Sequence, residues 1–128
     1  MSNKRYASYR KILEQRENLV RQEIAEELRR SGEEQYADLA GSVTDSGDQS
    51  VATLLADLDN AMVKRQVDEL RDIEEAYKRI DSEDYGDCIE CGGEILPERL
   101  RAYPTAKRCI ECQSQHEKTF AQSSRPSL

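Results

Sequence analysis

Four cysteines stand in two identical pairs, Cys88-Ile89-Glu90-Cys91 and Cys109-Ile110-Glu111-Cys112, with 17 residues between them. Two C-x2-C pairs at this separation form the pattern of a four-thiolate zinc site. Each pair converges because a tight turn brings both sulfurs onto the ion at about 2.3 Å. Gly92-Gly93, directly after Cys91, frees the backbone for such a turn. Disulfides are the competing chemistry, but no export signal follows Met1-Ser2-Asn3-Lys4-Arg5-Tyr6, and a cytoplasmic chain keeps its thiols reduced. With four protein ligands the ion has no open position, so one structural Zn2+ is expected rather than a catalytic one. His116 lies four residues beyond Cys112. The thiolates already fill the site, so a solvated or capping role suits it better than ligation.

A second group of candidate residues is Asp45 and Asp48. They sit in Gly41-Ser42-Val43-Thr44-Asp45-Ser46-Gly47-Asp48-Gln49-Ser50, a polar stretch of turn-forming residues. Charge gives this region its character. No Lys, Arg or His occurs between Arg30 and Lys64, while Glu33, Glu34, Asp38, Asp45, Asp48, Asp57 and Asp59 do. Removing those seven from the 26 acids leaves 19, equal to the 19 bases, so the whole net charge of −7 resides there. Such a surface repels phosphate and suits a basic pocket or a metal ion.

Long helical segments flank this stretch. Residues 4 to about 40 predict a first helix, with Tyr6, Tyr9, Leu13, Val20, Ile24 and Leu28 at helical spacing. Ser31-Gly32 is its weak point, and Tyr36, Leu39 and Ala40 resume the apolar face. A second helix is predicted from near Ser50 to near Ser82. Val51, Leu55, Leu58 and Met62 form one stripe, which Leu70, Ile73, Tyr77 and Ile80 continue after a polar interruption. Arms of about 35 residues reach roughly 50 Å, antiparallel in one chain. One long helix dimerising between chains is the alternative, against which the glycine-bearing interruption at 41–50 weighs. With 35% charged residues, 5% aromatics and no Trp, the chain has little with which to fill a large globular core. No apolar stretch is long enough to span a bilayer.

The expected fold is mainly α: an antiparallel coiled-coil helical hairpin with a small four-cysteine zinc-finger module and a C-terminal helix. Residues 1–84 form the hairpin, with its acidic tip at about 41–50. Residues 85–128 hold the module, a short helix at Pro97–Ala102, a helix carrying His116 and Phe120, and a tail.

Tyr85-Gly86-Asp87-Cys88-Ile89-Glu90-Cys91-Gly92, followed by Ala102-Tyr103-Pro104-Thr105-Ala106-Lys107-Arg108-Cys109-Ile110-Glu111-Cys112, resembles the zinc-finger signature of the DksA/TraR family. The likeness runs back through the second helix to the acidic stretch. It implies a transcription regulator that binds bacterial RNA polymerase through the secondary channel; with no export signal or membrane span in view, the chain is expected to be cytoplasmic, and a monomer is expected. Such a regulator alters open-complex lifetime at promoters without sequence-specific DNA binding. The family's Asp-x-x-Asp-x-Ala motif falls on Asp45, Asp48 and Ser50, so the tip facing the polymerase active site has serine where alanine is usual. Serine is small enough to fit and can cap the second helix. Arg65 falls where the family places an arginine on the channel rim. Basic residues that help bind the alarmone ppGpp in responsive members correspond here to Asp72, Tyr103 and Gln113. A highly phosphorylated nucleotide needs cationic donors, so weak or absent ppGpp synergy is expected.

Other function classes fit less well. A Gre-like transcript-cleavage factor also brings tip carboxylates to the secondary channel, to help hold Mg2+, but it carries a zinc-free second domain. A zinc-ribbon DNA-binding protein needs a basic face. Residues 88–128 balance Arg99, Arg101, Lys107, Arg108, Lys118 and Arg125 against five glutamates. No nucleophile–base constellation, phosphate loop or open metal site suggests an enzyme.

Overall fold

The computed structural model describes residues 2–42 and 49–124. Helix α1 (Ser2–Arg30) lies antiparallel to α3 (Ala61–Asp81), and their apolar stripes form the core. Leu13, Val20, Ile24 and Leu28 are buried, as are Val63, Val67, Leu70, Ile73 and Ile80. Polar side chains at the edges of the seam fix the register. Both guanidinium arms of Arg16 bond the Glu69 carboxylate, and Tyr77 donates to Glu17 Oε1 at 2.8 Å. Nearer the base, Arg10 pairs with Asp81 at 2.7 Å and the Tyr6 hydroxyl donates to the Glu83 carbonyl at 3.1 Å. The expected mainly α, antiparallel coiled-coil hairpin is therefore present.

Its arms are shorter than the periodicity suggests. The first helix stops at Arg30 instead of running to about 40. Gly32 takes φ +83°, open to glycine without strain. The Glu33 amide then donates to the Leu28 carbonyl and the Gly32 amide to the Arg29 carbonyl, a Schellman stop. Beyond it, Glu34–Ser42 forms a 3₁₀ helix that turns back along α1. Arg21 Nη1 donates to the Ala40 carbonyl at 2.9 Å across 19 positions; in a straight helix these groups lie about 28 Å apart.

The second arm is also broken, into α2 (Gln49–Ala56) and α3, by a turn containing Asp59 at φ +54°. Asn60 caps α3, accepting from the Met62 and Val63 amides at 3.1 Å. The break shifts the stripe by one position. Val63 and Val67 enter the core where the pattern pointed to Met62, which is 45% exposed. Ser50 lies inside α2 rather than at its cap. The α1–α3 pair thus ends at Ser31–Glu33 and Asp57–Asn60. Residues 43–48, with Asp45 and Asp48, lie outside the described residues.

At the base, Glu83 at φ +65° closes α3, and the chain enters the cysteine module. Tyr85 is buried and joins the two parts. Its ring meets Tyr6 edge-on at 5.8 Å and Tyr9 at 5.3 Å, and its hydroxyl donates to the Pro104 carbonyl at 2.7 Å. Helix α4 (Pro97–Ala102) has Pro97 in its first turn, as expected, and buries Leu100. Helix α5 (Ile110–Ser124) begins between the second pair of cysteines and carries His116 and Phe120.

Candidate metal centre and the acidic end of the hairpin

Two short backbone turns bring the cysteines together. In the first, the Cys88 amide donates to the Gly93 carbonyl at 2.7 Å and the Gly92 amide to the Cys88 carbonyl at 3.0 Å. Gly92 holds φ +74° at the bend. The Ile89 amide bonds the Lys107 carbonyl at 2.9 Å and ties the first turn to the second. The second turn opens into α5, where the Gln113 amide bonds the Cys109 carbonyl.

The sulfurs of Cys88, Cys91, Cys109 and Cys112 all lie within 4.8 Å of one another, and Cys91 and Cys109 are 3.9 Å apart. A tetrahedral ion with 2.3 Å bonds spaces its sulfurs by about 3.8 Å, so the cluster matches zinc. Burial works to raise the Cys88 thiol, but the Cys91, Cys109 and Glu90 backbone groups outweigh it and bring it down to about 6. Cys112 moves oppositely, up to about 12, because the Cys109 and Cys88 side chains hydrogen-bond its thiol. Four thiols this close cannot all ionise without a cation among them. One structural zinc ion fits, held by four thiolates with no position left for substrate. His116 is outside this group; its ring stacks with Phe120 at 6.3 Å.

Beside the module, Asp72, Tyr103 and Gln113 line one cavity of about 600 Å³ between α3, the loop after α4 and α5. Sequence separations of 10 to 41 positions gave no sign of that convergence beyond the resemblance. The cations around it are engaged. Lys107 Nζ faces Glu75 at 4.0 Å, Arg108 bonds Glu90 at 3.1 Å, and Arg99 stacks over the Tyr103 ring at 5.7 Å. Burial raises the Asp72 carboxyl above its ordinary range, with Lys107 opposing it. Arg79, whose part here its sequence position does not announce, is partly buried at this joint and donates to the Thr105 carbonyl at 3.3 Å. Nothing in its sequence neighbourhood marks it out from other helix-surface arginines.

At the opposite end, Asn60 Nδ2 donates to Glu27 Oε2 at 3.2 Å and to Ser31 Oγ at 3.4 Å, closing the α1–α3 pair. Asp57, Asp59 and Glu34 are exposed around it. Arg65 is exposed one turn up α3. No helix among the described residues is long and apolar enough to cross a membrane.

Residues 83–118 match the model of the prokaryotic dksA/traR C4-type zinc finger. The RNA polymerase-binding transcription factor DksA of Escherichia coli K12 is 31% identical over 114 residues, covering 89% of this chain and 72% of that protein. The Haemophilus influenzae protein of the same name is 32% identical over 117 residues, covering 89% and 75%. Among solved structures, transcription factor DksA2 from Pseudomonas aeruginosa is similar with a TM-score of 0.62 and 27% identity, over 90% of this chain and 84% of that one.

Proposed function

The chain belongs to the DksA/TraR family, and from that premise we propose that it regulates transcription by binding bacterial RNA polymerase through the secondary channel. The observation carrying this reading is the distribution of charge on a slender rod. Seven acids and no base lie between Arg30 and Lys64, in the part of the chain beyond the far end of the α1–α3 pair. A narrow acidic probe enters a channel that excludes a globular domain, and its field perturbs a metal-dependent centre without chemistry of its own. In this reading Asp45, Asp48 and Ser50 face the polymerase active site, Arg65 contacts the channel rim, and the zinc module braces the base. The protein acts as a cytoplasmic monomer, changes open-complex stability, and binds no DNA sequence specifically.

The test pairs a polymerase pull-down with in vitro transcription. Asp48→Asn should still bind polymerase, yet lose at least about tenfold in its effect on promoter output, the weight of one charge-assisted contact. Full regulatory activity in that variant removes Asp48 from the mechanism.

The ppGpp response follows from the cavity beside the module. The positions the resemblance singles out, Asp72, Tyr103 and Gln113, bring no cation to it, and Lys107 and Arg108 face Glu75 and Glu90, which weakens the cavity as a polyphosphate site. Transcription assays with and without the alarmone should give the same factor-dependent change. Strong synergy refutes this part.

A further inference from the structure

Building on the function proposed above, we propose that Arg21 is a positioning residue. It pins the acidic segment to α1, and so fixes where that segment's carboxylates stand when the protein acts on polymerase. A line of polar contacts crosses the hairpin to reach this point. Arg21 Nη1 donates to the Ala40 carbonyl at 2.9 Å, while its Nε and Nη2 donate to Glu17 Oε2 at 3.2 and 2.7 Å. The other oxygen of that carboxylate, Oε1, accepts from the Tyr77 hydroxyl of α3 at 2.8 Å. The Tyr77 ring in turn lies under the Arg10 guanidinium, 5.3 Å from the ring centre, and Arg10 pairs with Asp81 at 2.7 Å. Along α1 the line covers about 16 Å, from Arg10 to Arg21.

Each link restricts the next. The Arg21 and Glu17 side chains are 15% and 25% exposed, so water screens the pair little. A planar guanidinium held along one edge by Glu17 offers its remaining arm in one direction, toward Ala40. Ala40 stands two residues from the end of the 3₁₀ helix, where carbonyls run out of helical partners and the dipole is negative. A cation suits that end. The acidic segment brings none of its own, since no Lys, Arg or His occurs between Arg30 and Lys64. Apolar packing holds the 3₁₀ helix less firmly in register. Ala37 and Ala40 are buried, but each presents a single methyl group, and apolar contact carries no direction. The bond from Arg21 therefore sets the position. Ala40 comes two residues after Asp38 and five before Asp45, so a shift here moves the charges that follow and precede it.

The test uses the zinc-loaded full chain and reads polymerase affinity, effect on promoter output, and hydrogen exchange of the chain alone. Arg21→Ala should keep affinity within about threefold of wild type, with the Leu70 and Ile73 amides of α3 still protected. It should speed exchange in the 3₁₀ helix by about ten- to hundredfold, the weight of a lost charge-assisted bond, and cut the effect on output at least about tenfold. Arg21→Lys keeps the charge without the fork and should fall between. Tyr77→Phe keeps the ring but releases Glu17, and should shift exchange the same way by less. Arg29→Ala, which deletes the same charge from an exposed position on α1, should keep wild-type output. Unchanged exchange and output in Arg21→Ala overturn the proposal, as do affinity and output falling together. Should Arg21→Ala fail to fold, wild-type exchange and output in Arg21→Lys overturn it instead. A wild-type chain without effect on output removes the function proposed above, and the exchange readout then decides whether Arg21 pins the segment.

Discussion

Cys88→Ser unfolds the cysteine module and leaves the helical hairpin standing. Cys88 is the buried member of the four ligands, with its sulfur inside the cluster and its amide and carbonyl both used by the first turn. The module has little else to hold it. Its buried side chains besides Cys88 are Tyr85, Ile95 and Leu100, and its sheet pairing among the described residues is one bridge, Asp87 to Glu94. The ion must supply the difference, and structural zinc in small modules supplies about 10–16 kcal/mol. Serine keeps the size but not the soft, ionisable donor. Zinc content should fall to near zero. Hydrogen exchange should accelerate at the Ile89 and Ile95 amides, which bond Lys107 and Gly86, while Leu70 and Ile73 in α3 stay protected. A variant retaining one zinc per chain and a slow Ile89 amide refutes the four-thiolate assignment.

Tyr85→Ala should destabilise the chain by about 3–5 kcal/mol, the cost of deleting a buried aromatic ring. The ring is 2% exposed and packs on Tyr6 and Tyr9 of α1, so its loss opens the joint between hairpin and module. Tyr85→Phe keeps that packing and loses only the bond to the Pro104 carbonyl, at about 0.5–1.5 kcal/mol. Urea unfolding separates the two, and a Tyr85→Ala cost below about 1 kcal/mol shows that the joint lies elsewhere. The same tyrosine sets an alkaline limit. Burial, then the neighbouring Tyr9, raises the Tyr85 phenol, and burial with the Glu17 bond raises Tyr77. Above pH of about 10 the unfolded chain loses these protons and the folded chain keeps them, so stability falls as pH rises.

Much of this was legible in the residues. The metal centre was readable because C-x2-C fixes its own turn: the few bonds between the two cysteines decide where both sulfurs point. The α1 stripe from Tyr6 to Leu28 was readable because one helix has one period, and Pro97 announced α4 through its locked φ. The hairpin's outer half was not readable. Gly32 was a visible weak point, but a glycine in a helix and a glycine at a Schellman stop look alike in sequence. Packing of Ala37 and Ala40 against α1, with Arg21 reaching the Ala40 carbonyl, decides between them. The exchange of Met62 for Val63 was hidden for the same reason, since adjacent apolar residues offer two phases and Asn60 selects one by capping.

Residue order thus dictated the features set by neighbours along the chain: the four ligands, the helical periods and the one-sided charge. Folding in three dimensions chose where the arms bend, which of two neighbouring side chains enters the core, and that Asp72, Tyr103 and Gln113 share a cavity. Those outcomes depend on the free energy of contacts between segments far apart in the chain, which no local pattern encodes.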